Sequence, residues 1–302
     1  MIQLTRKHKA ILIVVVAMSV VFFAAWLIRF DIEYPNFDNH RLFLVDGGGD
    51  LVEVPLDSHP YQRTTRTKLD IDLYLMSVDS DGGHLYVSAH HTFPESPVPS
   101  GIFMVNPLDG TTELIYDSTG LSKFSINKIF CKFKDDRAVI VGVSNSEIVI
   151  IDTESKTVID RIAFGFSAAI WGSIGDQLVV GFSQSEGAMY AMDLNGDREF
   201  VRIDSATEMI GIRSSLYLPY LQGGTWYGLH SDLSRAPMDN QWVRENARFA
   251  VQYPPTAIED TDGHLMQLVS NEIFWKTYMR YRGKRVGRID TMVYDLCVLP
   301  GS

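Results

Sequence analysis

Signatures of enzymatic chemistry are missing from this 302-residue sequence. There is no GxxxxGK(S/T) phosphate loop, and no helix pattern follows the GGG at 47–49. That triplet is therefore expected to be a tight hairpin rather than a phosphate cradle. No HExxH pair and no EF-hand loop occurs. A metal site cannot come from local spacing, and Ca²⁺ or another divalent cation would need carboxylates that converge in space. No GxSxG elbow is present, so no catalytic residue is assigned and no cofactor is expected.

Acidic residues are absent from the first 30 positions, which carry Arg6, Lys7, Lys9 and Arg29. The rest of the chain holds 23 of the 27 basic residues against all 37 acidic ones, a net of −14. Such a domain repels nucleic acid and anionic lipid. Charge is absent altogether from residues 10–28, AILIVVVAMSVVFFAAWLI. As a helix this run is about 28 Å long, enough to span a bilayer. It is longer than the apolar core of a signal peptide, and no small-x-small cleavage site follows it in RFDIEYPNF. No cysteine stands directly after it either, which excludes a lipoprotein. An uncleaved signal-anchor from Ala10 to Ile28 is expected in preference to a cleaved signal or a buried core helix, with Trp26 at headgroup level. The basic flank places the N-terminus in the cytoplasm. The expected organisation is a basic cytoplasmic tail (1–9), one transmembrane helix (10–28), a short linker (29–39) and an ectodomain (40–302). The ectodomain would stand close to the cytoplasmic (inner) membrane, on its periplasmic or extracellular side.

What the ectodomain does contain is a repeat. Hydrophobic residues make up 46% of the chain and aromatics 11%, which supports a packed core and excludes disorder. Short apolar runs bounded by Gly, Asp, Asn and Ser recur in groups of four. The clearest groups are LYLMSV, LYVSA, GIFMVN and TELIY (73–116), INKIFCKF, AVIVGV, EIVIID and TVIDRI (126–162), and SAAIWG, QLVVGF, AMYAMD and EFVRI (167–203). Looser copies contain EMIGI, LYLPYL and TWYGLH from 208, and TAIED, HLMQLV, EIFWKTY and KRVGRI from 256. The second runs begin near Leu85, Ala138, Leu178, Leu216 and Leu265, giving spacings of 53, 40, 38 and 49 residues. A four-stranded unit at this period is the mark of a propeller blade. A β-sandwich also has frequent turns but gives no reason for the period. Residues 40–67 supply three strands and DTMVYDLCVLP (290–300) one more, so residues 292–298 are expected to pair with 40–46. The stretch 40–299 resembles the broad six-bladed β-propeller superfamily of TolB-like and YVTN-type repeat proteins. The WD dipeptide and any repeated metal signature are missing, so no single family is indicated.

That resemblance implies a site. The loops between second and third strands share a face with the crossovers between blades, and this face opens onto the central channel. Asp46, His90 and His91 fall in such loops. Asp70, Asp72, Asn127, Glu208 and Asp290 fall in crossovers. Adjacent histidines bind metals or exchange protons near neutral pH, but on an extended segment they point opposite ways, which favours a polar loop entrance. Trp226 and Tyr227 offer rings for a sugar, or packing between blades, the reading favoured here. The basic stretch MRYRGKRVGR (279–288) reads as a solvated hairpin, and the polar insertion 233–248 as a docking element.

Two functions follow from this. One is a membrane-anchored scaffold that binds a protein partner or small ligand on its channel face. The other is a metal-dependent hydrolase of lactonase or phosphoesterase type, which needs three or more carboxylates converging on the channel. The only two cysteines, Cys131 and Cys297, are permitted a disulfide by an oxidising compartment, yet the register puts them on inner strands of non-neighbouring blades. Two buried free thiols are expected.

Overall fold

A computed structural model of the chain describes residues 18–19, 34–37, 40–54, 65–91, 98–118, 126–134, 137–196, 199–214, 216–246, 256–260, 262, 264–271 and 276–300. The chain divides into two compact units, Met1–Tyr34 and Pro35–Ser302. In the first, Met18 and Ser19 are helical, and the rest of the expected span, with Ala10, Trp26 and Ile28, lies outside the described residues. Among the described residues no helix is long and apolar enough to cross a membrane.

The second unit is built from antiparallel meanders. Strands β1 (His40–Asp46), β2 (Leu51–Val54) and β3 (Thr65–Thr67) are completed by the last strand, β25 (Val293–Pro300). β25 pairs with β1 from His40 opposite Pro300 to Asp46 opposite Val293, which is the closure expected from the two incomplete ends. β4 (Tyr74–Ser80), β5 (Leu85–His90), β6 (Gly101–Val105) and β7 (Thr112–Asp117) form the next sheet. β8 (Lys128–Lys134), β9 (Arg137–Val143), β10 (Glu147–Asp152) and β11 (Val158–Ala163) form a third. β12 (Ile170–Ile174), β13 (Leu178–Ser183), β14 (Ala188–Asp193) and β15 (Val201–Ser205) follow. β16 (Glu208–Met209), β18 (Tyr217–Gln222), β19 (Thr225–His230) and β20 (Arg235–Pro237) form a sheet, and β21 (Thr256–Glu259), β22 (Leu265–Asn271), β23 (Lys276–Tyr281) and β24 (Lys284–Ile289) form the last meander.

Apolar clusters lie between consecutive meanders. Phe43 and Val45 pack with Val78 and Val87. Tyr86 and Ile102 meet Ile129 and Ile140, and Phe130 and Val141 meet Val179 and Met192. Ile174 and Val180 meet Leu218 and Tyr220, and Ile212 and Trp226 meet Ala257 and Leu265. A sheet covered on both faces needs apolar residues at successive positions, so its middle strands read as unbroken runs. β13, LVVGFS, is buried at all six positions, whereas the outer strand β11, VIDRIA, is mostly exposed.

Two elements depart from the sequence expectation. EMIGI is not one strand. It divides into β16, paired with β18, and β17 (Ile212–Ser214), which pairs in parallel with both β12 and β21 and joins their meanders into one nine-stranded sheet. Two glycines permit the approach. A Cβ on Gly211 would stand 2.8 Å from the Trp171 carbonyl oxygen, and one on Gly172 would stand 3.0 Å from the Ile212 carbonyl oxygen. The insertion 233–248 does not stand apart from the repeat. It supplies β20 as the fourth strand of its sheet and then α1 (Asn240–Asn246), whose Trp242 donates its indole N–H to the Tyr217 hydroxyl at 2.9 Å and packs on Trp226.

Candidate functional site

The centre of the second unit is polar although the strands around it are apolar. β25, β4 and β8 are the end strands of the first three sheets, and they place Asp295, Asp79, and Lys128 with Lys132 among apolar neighbours. β17 brings Arg213 to them, and Arg213 supplies the largest set of contacts. Its Nη1 donates to Asp295 Oδ1 at 3.1 Å and to the Leu296 carbonyl at 2.6 Å. Its Nη2 donates to Asp295 Oδ2 at 3.0 Å and to the carbonyls of Val78 and Ile129 at 2.8 and 3.0 Å. Its Nε lies 2.9 Å from Asp79 Oδ2. Lys128 Nζ donates to Asp295 Oδ1 at 2.6 Å. Two carboxylates and two cations thus neutralise one another.

The same side chains satisfy strand edges that have no neighbouring strand. Asp295 accepts from the N–H of Val78 (3.1 Å) and from the Ser77 hydroxyl. Ser77 in turn accepts from the N–H of Ile129 at 3.1 Å, and Asp79 accepts from the N–H of Cys131 at 2.8 Å. Lys132 donates to the Gly175 carbonyl at 2.5 Å, reaching the fourth meander. Burial alone would raise the Asp295 carboxyl, but the charges of Arg213 and Lys128 outweigh it and hold the group well below the usual carboxylate range. Burial lowers the Lys128 ammonium, with Asp295 opposing. Every member of this cluster is engaged by another, an arrangement that fixes structure and leaves no unpaired nucleophile or base.

Cys297 is buried and Cys131 half-buried, both as free thiols on β25 and β8. Burial pushes both thiols up. The partial exposure of Cys131 departs from the expectation of two fully buried thiols.

The residues expected to share the channel face are placed as follows. Asp46 is buried and caps its own turn, accepting from the N–H groups of Gly48 (2.8 Å) and Asp50 (3.0 Å). Gly49 has φ +78°, and a Cβ there would stand 2.6 Å from the Tyr74 ring, so the GGG is a tight hairpin that seats Tyr74. Tyr74 donates to the Gly47 carbonyl at 3.0 Å and meets the His90 ring edge-on at 5.2 Å, which brings the Asp46 turn and His90 together. Burial, followed by the neighbouring His91, lowers the His90 imidazole. The Nδ1 atoms of His90 and His91 are buried without a hydrogen-bond partner among the described residues. Asn127 donates to Asn145 Oδ1 at 2.6 Å. Asp70 accepts from the Thr112 hydroxyl at 2.5 Å, and Asp72 is exposed. Burial raises the Glu208 carboxyl, and Asp290 lies 3.0 Å from Arg288 Nε. Among the described residues no three His, Cys, Asp or Glu side chains are grouped to hold a metal ion, so Asp46, Asp70, Asp72 and Glu208 do not form the carboxylate set that metal-dependent hydrolysis requires.

Trp226 is buried between meanders and Tyr227 stacks on Tyr220 at 5.7 Å, so both serve packing. A hollow of about 400 Å³ beside α1 is lined by Tyr217, Trp242, Glu245, His264 and Arg282. Arg213, Lys128, Asp79 and Asp295 belong to no recognisable sequence motif. Their signal was a charge inside an apolar run, as in VYDLC and NKIFCKF.

No protein-family model matches the chain, and no curated protein matches it. Solved structures do. A chain of the nidogen/laminin complex aligns with a TM-score of 0.57 at 10% identity, over 86% of this chain and 98% of that one. TolB from Acinetobacter baumannii aligns with a TM-score of 0.54 at 12% identity, over 86% of this chain and 66% of that one. The fold is a β-propeller. At such identities the likeness speaks for the fold alone.

Proposed function

We propose that the chain is a six-bladed propeller, held at the outer side of a cytoplasmic membrane by residues 10–28, that binds a protein partner. The observation that carries this reading is the paired charge cluster on the axis. Arg213, Lys128, Asp79 and Asp295 are consumed by one another and by backbone groups, so recognition is left to the loops and crossovers of the channel face around them. The six-blade count is supported by six antiparallel meanders, two of them fused through β17. The anchor is supported by the uncharged run and its basic flank. One similar structure was itself solved as a nidogen/laminin complex.

Antiparallel strands put the β1–β2 and β5–β6 loops, with the crossover at Asp290, on one end, and the β4–β5 and β6–β7 turns on the other. The test places a photo-crosslinking residue at Asp72 or Asp290 on the first end, and at Gly82 or Leu108 on the second, in the full chain in cells. A discrete adduct from the first end only supports binding on the channel face. Equal adducts from both ends, or none, refute it. Reporter fusions after Asn39 test the topology: a periplasmic or lumenal reporter is expected to be active there, and activity of a cytoplasmic reporter contradicts the anchor.

A further inference from the structure

A groove outside the channel is built for a different contact. β11 runs out into a bend, FGFS (164–167), and brings Phe164 and Phe166 together with ring centroids 4.9 Å apart, beside Ile162. The rings gather against β14 and the start of β15. Phe166 stacks on Tyr190 at 4.0 Å and 11°, while Phe164 and Phe166 meet Phe200 edge-on at 5.4 and 5.1 Å. Trp171 lies behind them, 5.4 Å from Phe164. Gly181 makes the slot, because a Cβ there would stand 2.8 Å from the Trp171 ring and 3.1 Å from Phe166.

The cluster is not closed over. Phe164, Tyr190 and Phe200 are half-buried, and they line an open groove of about 570 Å³. Its rim is acidic. Glu186 and Glu199 are both exposed and both line it. Glu186 is oriented by the Tyr190 hydroxyl, which donates to it, and Glu199 makes no hydrogen bond or ion pair among the described residues. Arg202 opposes Tyr190 across the strand pair but does not line the groove. Val201, next to Phe200, is exposed at the start of β15.

Aromatic faces carry negative potential, and a cation lying on them while reaching a carboxylate satisfies both. Open aromatic clusters are also where protein interfaces concentrate their binding energy. We propose that this groove docks an extended segment of a partner protein that presents an arginine or lysine side chain to the rings, with Glu186 and Glu199 receiving its charge. This inference rests on the protein-binding reading above and moves one contact from the channel face to the cleft between β11 and β15.

The test selects random 12-residue displayed peptides on the full chain in mild detergent. Enriched peptides are expected to carry Arg or Lys at a fixed position. Replacing that Arg with citrulline, which keeps the shape and removes the charge, is expected to weaken binding about tenfold. Glu186→Gln with Glu199→Gln, a surface change that leaves the rings in place, is expected to do the same, and Phe200→Ser to weaken it at least as much. Several results overturn the proposal: enrichment of peptides without a basic residue, binding unchanged in the double glutamine variant, or no groove-dependent enrichment. Displacement by millimolar tetramethylammonium without any peptide preference assigns a small cation instead, and groove-dependent dimerisation assigns a second copy of the chain. Adducts from Asp290 that persist while the peptide selection fails would sink this inference and leave the binding reading intact.

Discussion

The two halves of the propeller axis are closed by different chemistry. Around β12, β17 and β21 the inner strands hydrogen-bond to one another in parallel, backbone to backbone. Around β25, β4 and β8 they do not, and Asp295, Ser77 and Asp79 reach across to the backbone N–H groups that a neighbouring strand would otherwise take. Arg213 sits on the seam. Its backbone belongs to the first half and its guanidinium to the second. The difference teaches that a buried strand edge needs partners but does not dictate their kind. Ladder partners require close approach and therefore glycines at 172 and 211. Side-chain partners require carboxylates, and these in turn require cations.

The most severe way to break the comparison is to delete residues 293–302. This removes the inner strand of the first sheet and Asp295 together, exposing the edge of β1 and leaving Lys128 and Arg213 short of a counter-charge. The expected outcome is an aggregated or unfolded product by circular dichroism, and a truncated chain that melts like the intact one refutes the closure. Next in size, Gly211→Ala strikes the backbone half. Its Cβ meets a carbonyl oxygen that cannot yield, at a cost of about 1–3 kcal/mol in urea denaturation. An unchanged midpoint means β17 is not held against β12.

Acid separates the halves more gently. The Asp295 carboxyl is depressed in the folded protein, so the unfolded chain binds its proton first as pH falls. The stability it contributes is therefore fully present above the ordinary carboxylate value of about 4 and is lost as pH falls through the folded value, at no more than about 1.4 kcal/mol per pH unit. Asp295→Asn is expected to flatten the acid limb of a stability-against-pH curve, and an unaltered limb argues against the depressed carboxyl. The mildest probe is thiol labelling of the denatured, unreduced chain. Two reactive thiols are expected from Cys131 and Cys297, and none would place a disulfide inside the side-chain half.

Much of this architecture was legible in sequence, for a physical reason. Sheets packed on both faces need apolar runs such as AVIVGV and QLVVGF, and the count of runs at each end called for β25 to join β1. The parallel bridge was not legible, because IRS is too short to carry a pattern and its partners lie some 40 residues away on either side in sequence. Nor was the function of Arg213, whose contacts at Val78 and Asp295 are 135 and 82 residues distant. β20 was hidden because RAP has no strand signature and takes its form from pairing with Tyr227, Gly228 and Leu229. Of the expected site residues, Asp46 and His90 were brought together through Tyr74, a residue with no polar motif of its own.

Closure of the axis depends most directly on Arg213. Chemical denaturation of Arg213→Met should show a loss of about 3–5 kcal/mol, because the buried Asp295 is left with Lys128 and Asp79 with the more distant Lys132. Adding Lys128→Met, Asp79→Asn and Asp295→Asn, which removes the paired charges but keeps the side-chain acceptors and leaves Lys132 on the Gly175 carbonyl, should restore a large part of that loss. If the single variant loses less than about 0.5 kcal/mol, the size of an ordinary surface substitution, the axis is not held by this cluster.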